Sequence, residues 1–169
     1  HLWTRPSRSN LPRSQTAQTM VKFWKMNGAG NDFVVLDNRD ETLQLSKARI
    51  AALCHRQRGI GADGLLAVEP ARNGADYRMR YYNADGGEAE MCGNAIRCVG
   101  KYVFDRGLCA KGEISVETKA GMKYLDLHRE AGAVKEVTVD MGEPILAGRL
   151  IPVESDENPV LGKEIEVLD

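Results

Sequence analysis

The chain contains no apolar run approaching the roughly 20 residues that a membrane-spanning helix needs, so no segment reads as crossing a bilayer. It has no surplus of either charge, because 23 basic residues stand against 24 acidic ones. That balance removes the electrostatic footprint expected of a partner for nucleic acid or for an anionic membrane. Cysteine is scarce, with four in 169 residues, which does not suit a disulfide-stapled secreted domain. Free thiols in a reducing compartment are expected, and the cytoplasm is the simplest one. Metal-knuckle spacing is also missing. Five residues separate Cys92 from Cys98, ten more precede Cys109, and the next histidine is His128. A structural zinc site pairs its ligands at two to four intervening residues, so no metal is expected. The glycine loops "GAGNDF" and "GIGADG" lack the G-x-G-x-x-G spacing between strand and helix, and lack the Lys-Ser/Thr ending of a nucleotide loop. Tight turns are the reading they support.

What is present suits a folded domain. Apolar residues make up 43% and charged residues 28%, and the length allows one domain with a real core, or one domain and the start of another. Residues 1–19 stand apart, carrying Arg5, Arg8 and Arg13, no acid, and many Ser and Thr. They read as a disordered extension before a natural start at Met20. A transit peptide is the alternative, which would put the protein in a plastid.

From Val21 the pattern becomes regular. "VKFWKM" and "DFVVLDN" flank the turn "NGAGN", which predicts a hairpin over residues 21–38. Ser46 is placed to cap a helix "KARIAALCHRQ", with Ile50, Leu53 and Cys54 on one face. "LLAVEP" and "DYRMRYYN" read as strands, and "CGNAIRCVGKYVFDRG" as a helix from about Cys92 to Asp105 that stops at Gly107. Its buried stripe is Ile96, Val99, Tyr102 and Val103. Three more strands follow in "ISVETKA", "MKYLDLH" and "EVTVDMG". The expected fold class is α+β, a mostly antiparallel β-sheet wrapped around a central helix. Residues 20–143 form that domain. Residues 144–169 read as a linker and the start of a further element, "KEIEVLD", in an incomplete chain.

Among the cysteines, Cys54 and Cys98 fall on apolar helix faces, where an unpaired cysteine behaves as a small buried hydrophobe. Cys109 follows a Gly turn and has no case for chemistry. Cys92 differs in its setting, following the turn "NADGGEAEM" at the start of a helix. Backbone N–H groups there lack helical partners, and the macrodipole adds positive potential. Both favour a thiolate. Gly93 admits close approach to the backbone, and the N–H groups of Gly93 and Asn94 can bind a carboxylate. The residues alone leave two readings open: reactive thiol, or a cysteine at a helix start for packing.

The run "NADGGEAEMCGNAIRC" resembles the signature of the diaminopimelate epimerase family, an Asn-x-Asp-Gly-Ser run, four residues, then Cys-Gly-Asn-Gly/Ala-x-Arg. Asn83 to Arg97 matches it with one departure, Gly87 in place of Ser. "KMNGAGNDFVVLDN" and "RGIGADGLL" resemble the family's opening segments in order and spacing, so the similarity runs from about Val21 to Gly142. The resemblance implies epimerisation of L,L- and meso-diaminopimelate, in lysine biosynthesis, without cofactor or metal. One cysteine thiolate takes the α-proton from one face and a second cysteine's thiol supplies a proton to the other. It implies that Cys92 is catalytic, usually written as donor in the L,L-to-meso direction. It implies substrate contacts from Asn31, Asn83, Gly93 and Asn94. Position 64 is Gly where some relatives carry a substrate-contacting Gln. The family's second cysteine belongs to a second domain of similar fold, and no segment of these 169 residues resembles it.

Three other readings compete. A sister racemase acting on proline or hydroxyproline tends to carry Cys-Gly-His, whereas this chain has Cys92-Gly93-Asn94. A non-catalytic module could keep the fold as a binding or dimerising unit, and exposed β edges would suit a homodimer. A redox-sensing thiol protein would pair Cys92 with a resolving cysteine.

Overall fold

The computed structural model describes residues 20–151 and 153–164. The expected extension at 1–19 lies outside the described residues, as does most of the element expected at 163–169. The hairpin forms as the sequence predicts. Strand β1 (Trp24–Gly28) pairs antiparallel with β2 (Asn31–Asp37), Gly28 opposite Asn31. Its two turn residues, Ala29 and Gly30, both sit at positive φ (49° and 97°). That mirror-image turn has the backbone twist a two-residue hairpin needs.

Ser46 caps the next helix, α1 (Lys47–Cys54), its hydroxyl accepting from Arg49 N–H at 3.3 Å. The sequence pattern runs on to Gln57, but the helix stops three residues sooner because the returning loop takes its last carbonyls. Ile60 and Gly61 N–H donate to Leu53 O, and Ala62 N–H donates to Cys54 O. Replacing Ser46 with Ala is expected to cost about 1 kcal/mol, read as a lowered midpoint in urea unfolding with an unchanged slope.

Strand β3 (Gly64–Glu69) then lies parallel to β2, and β4 (Tyr77–Asn83) antiparallel to β3. The short β5 (Glu88–Ala89), which the sequence pattern does not show, pairs with the end of β4. The second helix, α2, spans Gly93–Asp105 with Cys92 as its N-cap, one residue later than the sequence suggests. It ends as expected at Gly107, at φ 68°, whose N–H donates to Phe104 O. Three strands complete the sheet: β6 (Glu113–Thr118), β7 (Gly121–Glu130) and β8 (Ala133–Val139). Strand β7 is longer than its alternation suggests and β8 begins three residues earlier, the two joined by a tight turn at Ala131 and Gly132, both at positive φ.

The sheet order is β1-β2-β3-β4-β6-β7-β8, with β5 beside β4. Most neighbours are antiparallel. The two parallel pairs, β2–β3 and β4–β6, are those whose connections contain α1 and α2. A parallel neighbour needs a crossover of a dozen or more residues, and the helices supply it. The sheet curls around α2, which packs against β1, β2, β3, β4, β7 and β8.

Two cores result. Phe33, Val35, Leu66 and Val68 face α2, packing on Ile96, Val99, Tyr102 and Val103. Val34, Leu36, Leu65 and Ala67 face the other way, onto Ile50 and Cys54 of α1. Strands covered on both faces read as unbroken apolar runs, which is why "FVVL" and "LLAV" show no alternation.

Candidate active site

The site begins at the turn after β4. Asn83 N–H donates to Gly87 O, and Asp85 Oδ1 accepts from Gly87 N–H at 2.8 Å. Gly86 is held at φ 81°, and a Cβ there would lie 2.2 Å from Lys47 O, so α1 closes down on the turn. After β5 the chain delivers Cys92 to the N-cap of α2 in extended conformation (φ −148°, ψ 121°). Its thiol makes no capping hydrogen bond and is half-buried. The first bond of the helix is Ile96 N–H to Cys92 O at 3.0 Å. The N–H groups of Gly93, Asn94 and Ala95 therefore precede the ladder, and they have no acceptor among the described residues. Gly93 leaves open space at this end, where a Cβ would meet nothing nearer than Met141 Sδ at 3.8 Å.

Asn94 Nδ2 donates to Asn31 Oδ1 at 2.8 Å, joining the helix to the start of β2. Asn31 Nδ2 donates in turn to Asp63 Oδ2 at 3.2 Å, in the loop before β3. Arg97, one turn along α2, donates to Asn94 Oδ1 and, at 3.2 Å, to Gly93 O. Behind Asp63 lies a charged brace. Arg56 bonds Asp63 at 2.7 Å and Asp32 at 2.9 Å, while Lys25 pairs with Asp32 at 2.8 Å. The Arg56 and Lys25 cations hold Asp32 well below the usual carboxylate range. Asp63 is also lowered, first by the backbone N–H of Asp32 and next by the Asn31 amide.

Of the residues singled out from the sequence, Asn31, Gly93 and Asn94 are thus gathered around the helix start that carries Cys92. Asn83 opens at the same end of the sheet, in the row Phe33–Gly64–Asn83, but its side chain makes no hydrogen bond among the described residues. Gly64 in that row has a structural reason to be glycine, since a Cβ would lie 2.7 Å from the Tyr81 ring and 2.6 Å from Tyr82 O. Tyr81 meets the Phe33 ring edge-on at 6.1 Å. Burial, then the neighbouring Cys92 and Asp63, push its phenol up.

The remaining cysteines are unlike Cys92. Burial raises the Cys98 thiol to about 11 and raises Cys54 as well, which leaves both as inert core groups. The Cys109 sulfur accepts a hydrogen bond from Lys111 N–H at 3.3 Å. All four are free, and no group of three or more His, Cys, Asp or Glu is placed to hold a metal among the described residues.

Sequence reasoning missed Arg97, Asp63 and Arg56. Arg97 could have been found, because it stands three and four residues after Asn94 and Gly93, the spacing at which helical side chains meet. Asp63 and Arg56 carry no such signal, since their contacts to Asn31 and Asp32 span 24 to 32 residues of chain.

A curled mixed sheet closed on a central helix defines the fold class. It is shared with a hydroxyproline epimerase from Agrobacterium vitis, at a TM-score of 0.59 and 15% identity over 73% of this chain and 42% of that one. That likeness fixes the backbone arrangement alone. The chain belongs to the diaminopimelate epimerase family, whose model matches residues 23–147. It is 48% identical to the diaminopimelate epimerase of Acetivibrio thermocellus over 87% of this chain and 52% of that protein. Against the enzyme of Agathobacter rectalis the identity is 51%, over 88% and 52%. The chain thus spans about half the length of the curated relatives it matches.

Proposed function

We propose that this chain is the Cys92-bearing half of an enzyme that interconverts L,L- and meso-diaminopimelate without a cofactor. The observation that carries the reading is the Cys92 thiol at the N-cap of α2, beside the N–H groups of Gly93 and Asn94 that have no acceptor among the described residues, in a chain of this family. An amino-acid α-proton is very weakly acidic, so its removal demands stabilisation of the charge that flows onto the carboxylate. Preorganised N–H donors at a helix start, in a site shielded from water, supply it. In the L,L-to-meso direction, a partner thiolate takes the α-proton from one face and the Cys92 thiol protonates the other. The C–H bond electrons pass to the substrate and then to the new C–H bond, so each turnover leaves one thiol and one thiolate exchanged. Asn31, Asn83, Gly93 and Asn94 are the substrate contacts this reading assigns. No metal or cofactor takes part in it.

This reading assigns the partner cysteine to residues outside these 169, and it is supported by the burial of Cys54 and Cys98 in the two cores and by the place of Cys109 beyond the far end of α2. The reading is tested by giving the full-length protein L,L-diaminopimelate and L-proline separately in D2O. Deuterium at the α-carbon with inversion of diaminopimelate, and none with proline, is the expected result. Inversion of proline instead would favour the sister racemase. Turnover of neither substrate would leave the fold as a non-catalytic module.

A further inference from the structure

The polar groups at the start of α2 form a chain whose ends carry opposite charge. Arg97 has only donors to offer, and it gives one to Asn94 Oδ1. Asp63, ionised, has only acceptors, and its Oδ2 takes Asn31 Nδ2 at 3.2 Å. Between them Asn94 Nδ2 donates to Asn31 Oδ1 at 2.8 Å. A carboxamide has an oxygen on one arm and an NH2 on the other, so the charged ends dictate which way both amides face. Turning either one round would set donor against donor or acceptor against acceptor. In the orientation so fixed, each oxygen points along the chain, and each Nδ2 keeps one N–H that the chain does not use.

Asp63 is itself held on three sides. Arg56 bonds its Oδ1 at 2.7 Å, while Asp32 N–H at 3.1 Å and Asn31 Nδ2 at 3.2 Å both donate to its Oδ2. The one ion pair among them, Arg56–Asp63, is solvent-exposed, where such a contact adds little to stability. Orientation, not folding energy, is what so many contacts on one carboxylate can provide.

We propose that Asp63 is a positioning residue for the chemistry at Cys92. Through Asn31 and Asn94 it fixes both amides, so that the free side-chain functions left beside the helix start are N–H donors, complementary to a substrate carboxylate. This rests on the diaminopimelate reading above for its substrate, though not for its geometry.

The test uses the full-length protein with L,L-diaminopimelate. Asp63→Ala is expected to lower kcat/KM about 10- to 100-fold, mainly through KM, as for a misplaced binding group, while the melting temperature stays near wild type. Arg56→Met removes one of the contacts that orient Asp63 but leaves the acceptor, and should lower kcat/KM by less than Asp63→Ala does. Wild-type kinetics in a folded Asp63→Ala protein overturn the proposal. So does a parallel fall of melting temperature and kcat/KM in both variants, which would mark the cluster as a folding element. If Asp63→Ala does not fold, or if the wild type leaves diaminopimelate unchanged so that the functional reading fails, the side-chain amide spectrum of 15N-labelled wild type decides. One protected Nδ2 proton on each of Asn31 and Asn94 supports the relay. Free-amide exchange at both overturns it.

Discussion

Cys92→Ser in the full-length protein is expected to abolish inversion of diaminopimelate, lowering turnover by roughly 10²–10⁴-fold, the usual contribution of one positioned proton-transfer group. The reason is chemical, since serine fits the N-cap at least as well as cysteine does. The fold should therefore survive, and the melting temperature should stay at or above that of the wild type. What is lost is an ionisable group, because an alcohol does not ionise near neutrality and donates its proton far less readily than a thiol. The two directions then separate. With L,L substrate the partner thiolate can still remove the α-proton and return a solvent deuteron to the same face, so some exchange persists without inversion. With meso substrate Cys92 is the base, and exchange should vanish along with inversion. Full turnover by Cys92→Ser would remove Cys92 from the mechanism. The same assay on residues 1–169 alone should show no inversion, since on the proposed mechanism that piece holds one of the two proton carriers.

Much of this geometry is legible in the sequence wherever the determining forces are local. The turn at Ala29–Gly30, the Ser46 cap and the Gly107 stop are each set by residues within a few positions, and each forms where the sequence places it. The start of α2 is legible to one residue because its apolar stripe fixes the helix phase. Legibility fails where distant segments decide. Nothing in "KARIAALCHRQ" announces that residues 60–62 will return to take the carbonyls of Leu53 and Cys54. The start of β8 is hidden because Ala133, Lys135 and Glu136 are exposed, so its inward set shrinks to Val134 and Val137.

The candidate site follows the same rule. Cys92, Gly93 and Asn94 are neighbours in sequence, and their role at a helix start can be argued from chain direction alone. Asn31 stands out by resemblance, and the structure adds its contact to Asn94, 63 residues away in the chain. Asp63 reads as part of a turn, because "GIGADG" carries turn residues and no periodicity. Its acceptor role exists only once β2 and β3 lie side by side in parallel. Asn83 stays apart from the hydrogen-bonded group, so its proposed contact requires substrate to fill the space between.

Gly28→Ala should damage stability and site together, through one contact. Gly28 ends β1 where the hairpin presses on α2, and a Cβ there would lie 2.6 Å from Asn94 O and 3.1 Å from Cys98 Sγ. The nearer atom belongs to helix backbone, which has no rotamer to swing aside. The cysteine beyond it is packed in the core at 3% exposure. Hairpin and helix must therefore separate by several tenths of an ångström. Overpacking of this kind costs about 1–3 kcal/mol. The movement also falls on the Asn31–Asn94 hydrogen bond, because Asn31 is the hairpin partner of Gly28 and Asn94 is the residue struck. Turnover is expected to fall by as much as roughly 10²-fold, the penalty for a misplacement of about 1 Å, even at temperatures where the variant is fully folded. Gly30→Ala is the comparison, since a Cβ at position 30 meets nothing within 4 Å and the strain there is confined to a positive φ of 97°. That variant should lose stability while keeping the turnover of its folded fraction. Equal turnover per folded molecule in Gly28→Ala and wild type would show that the hairpin and the start of α2 are not coupled through this contact.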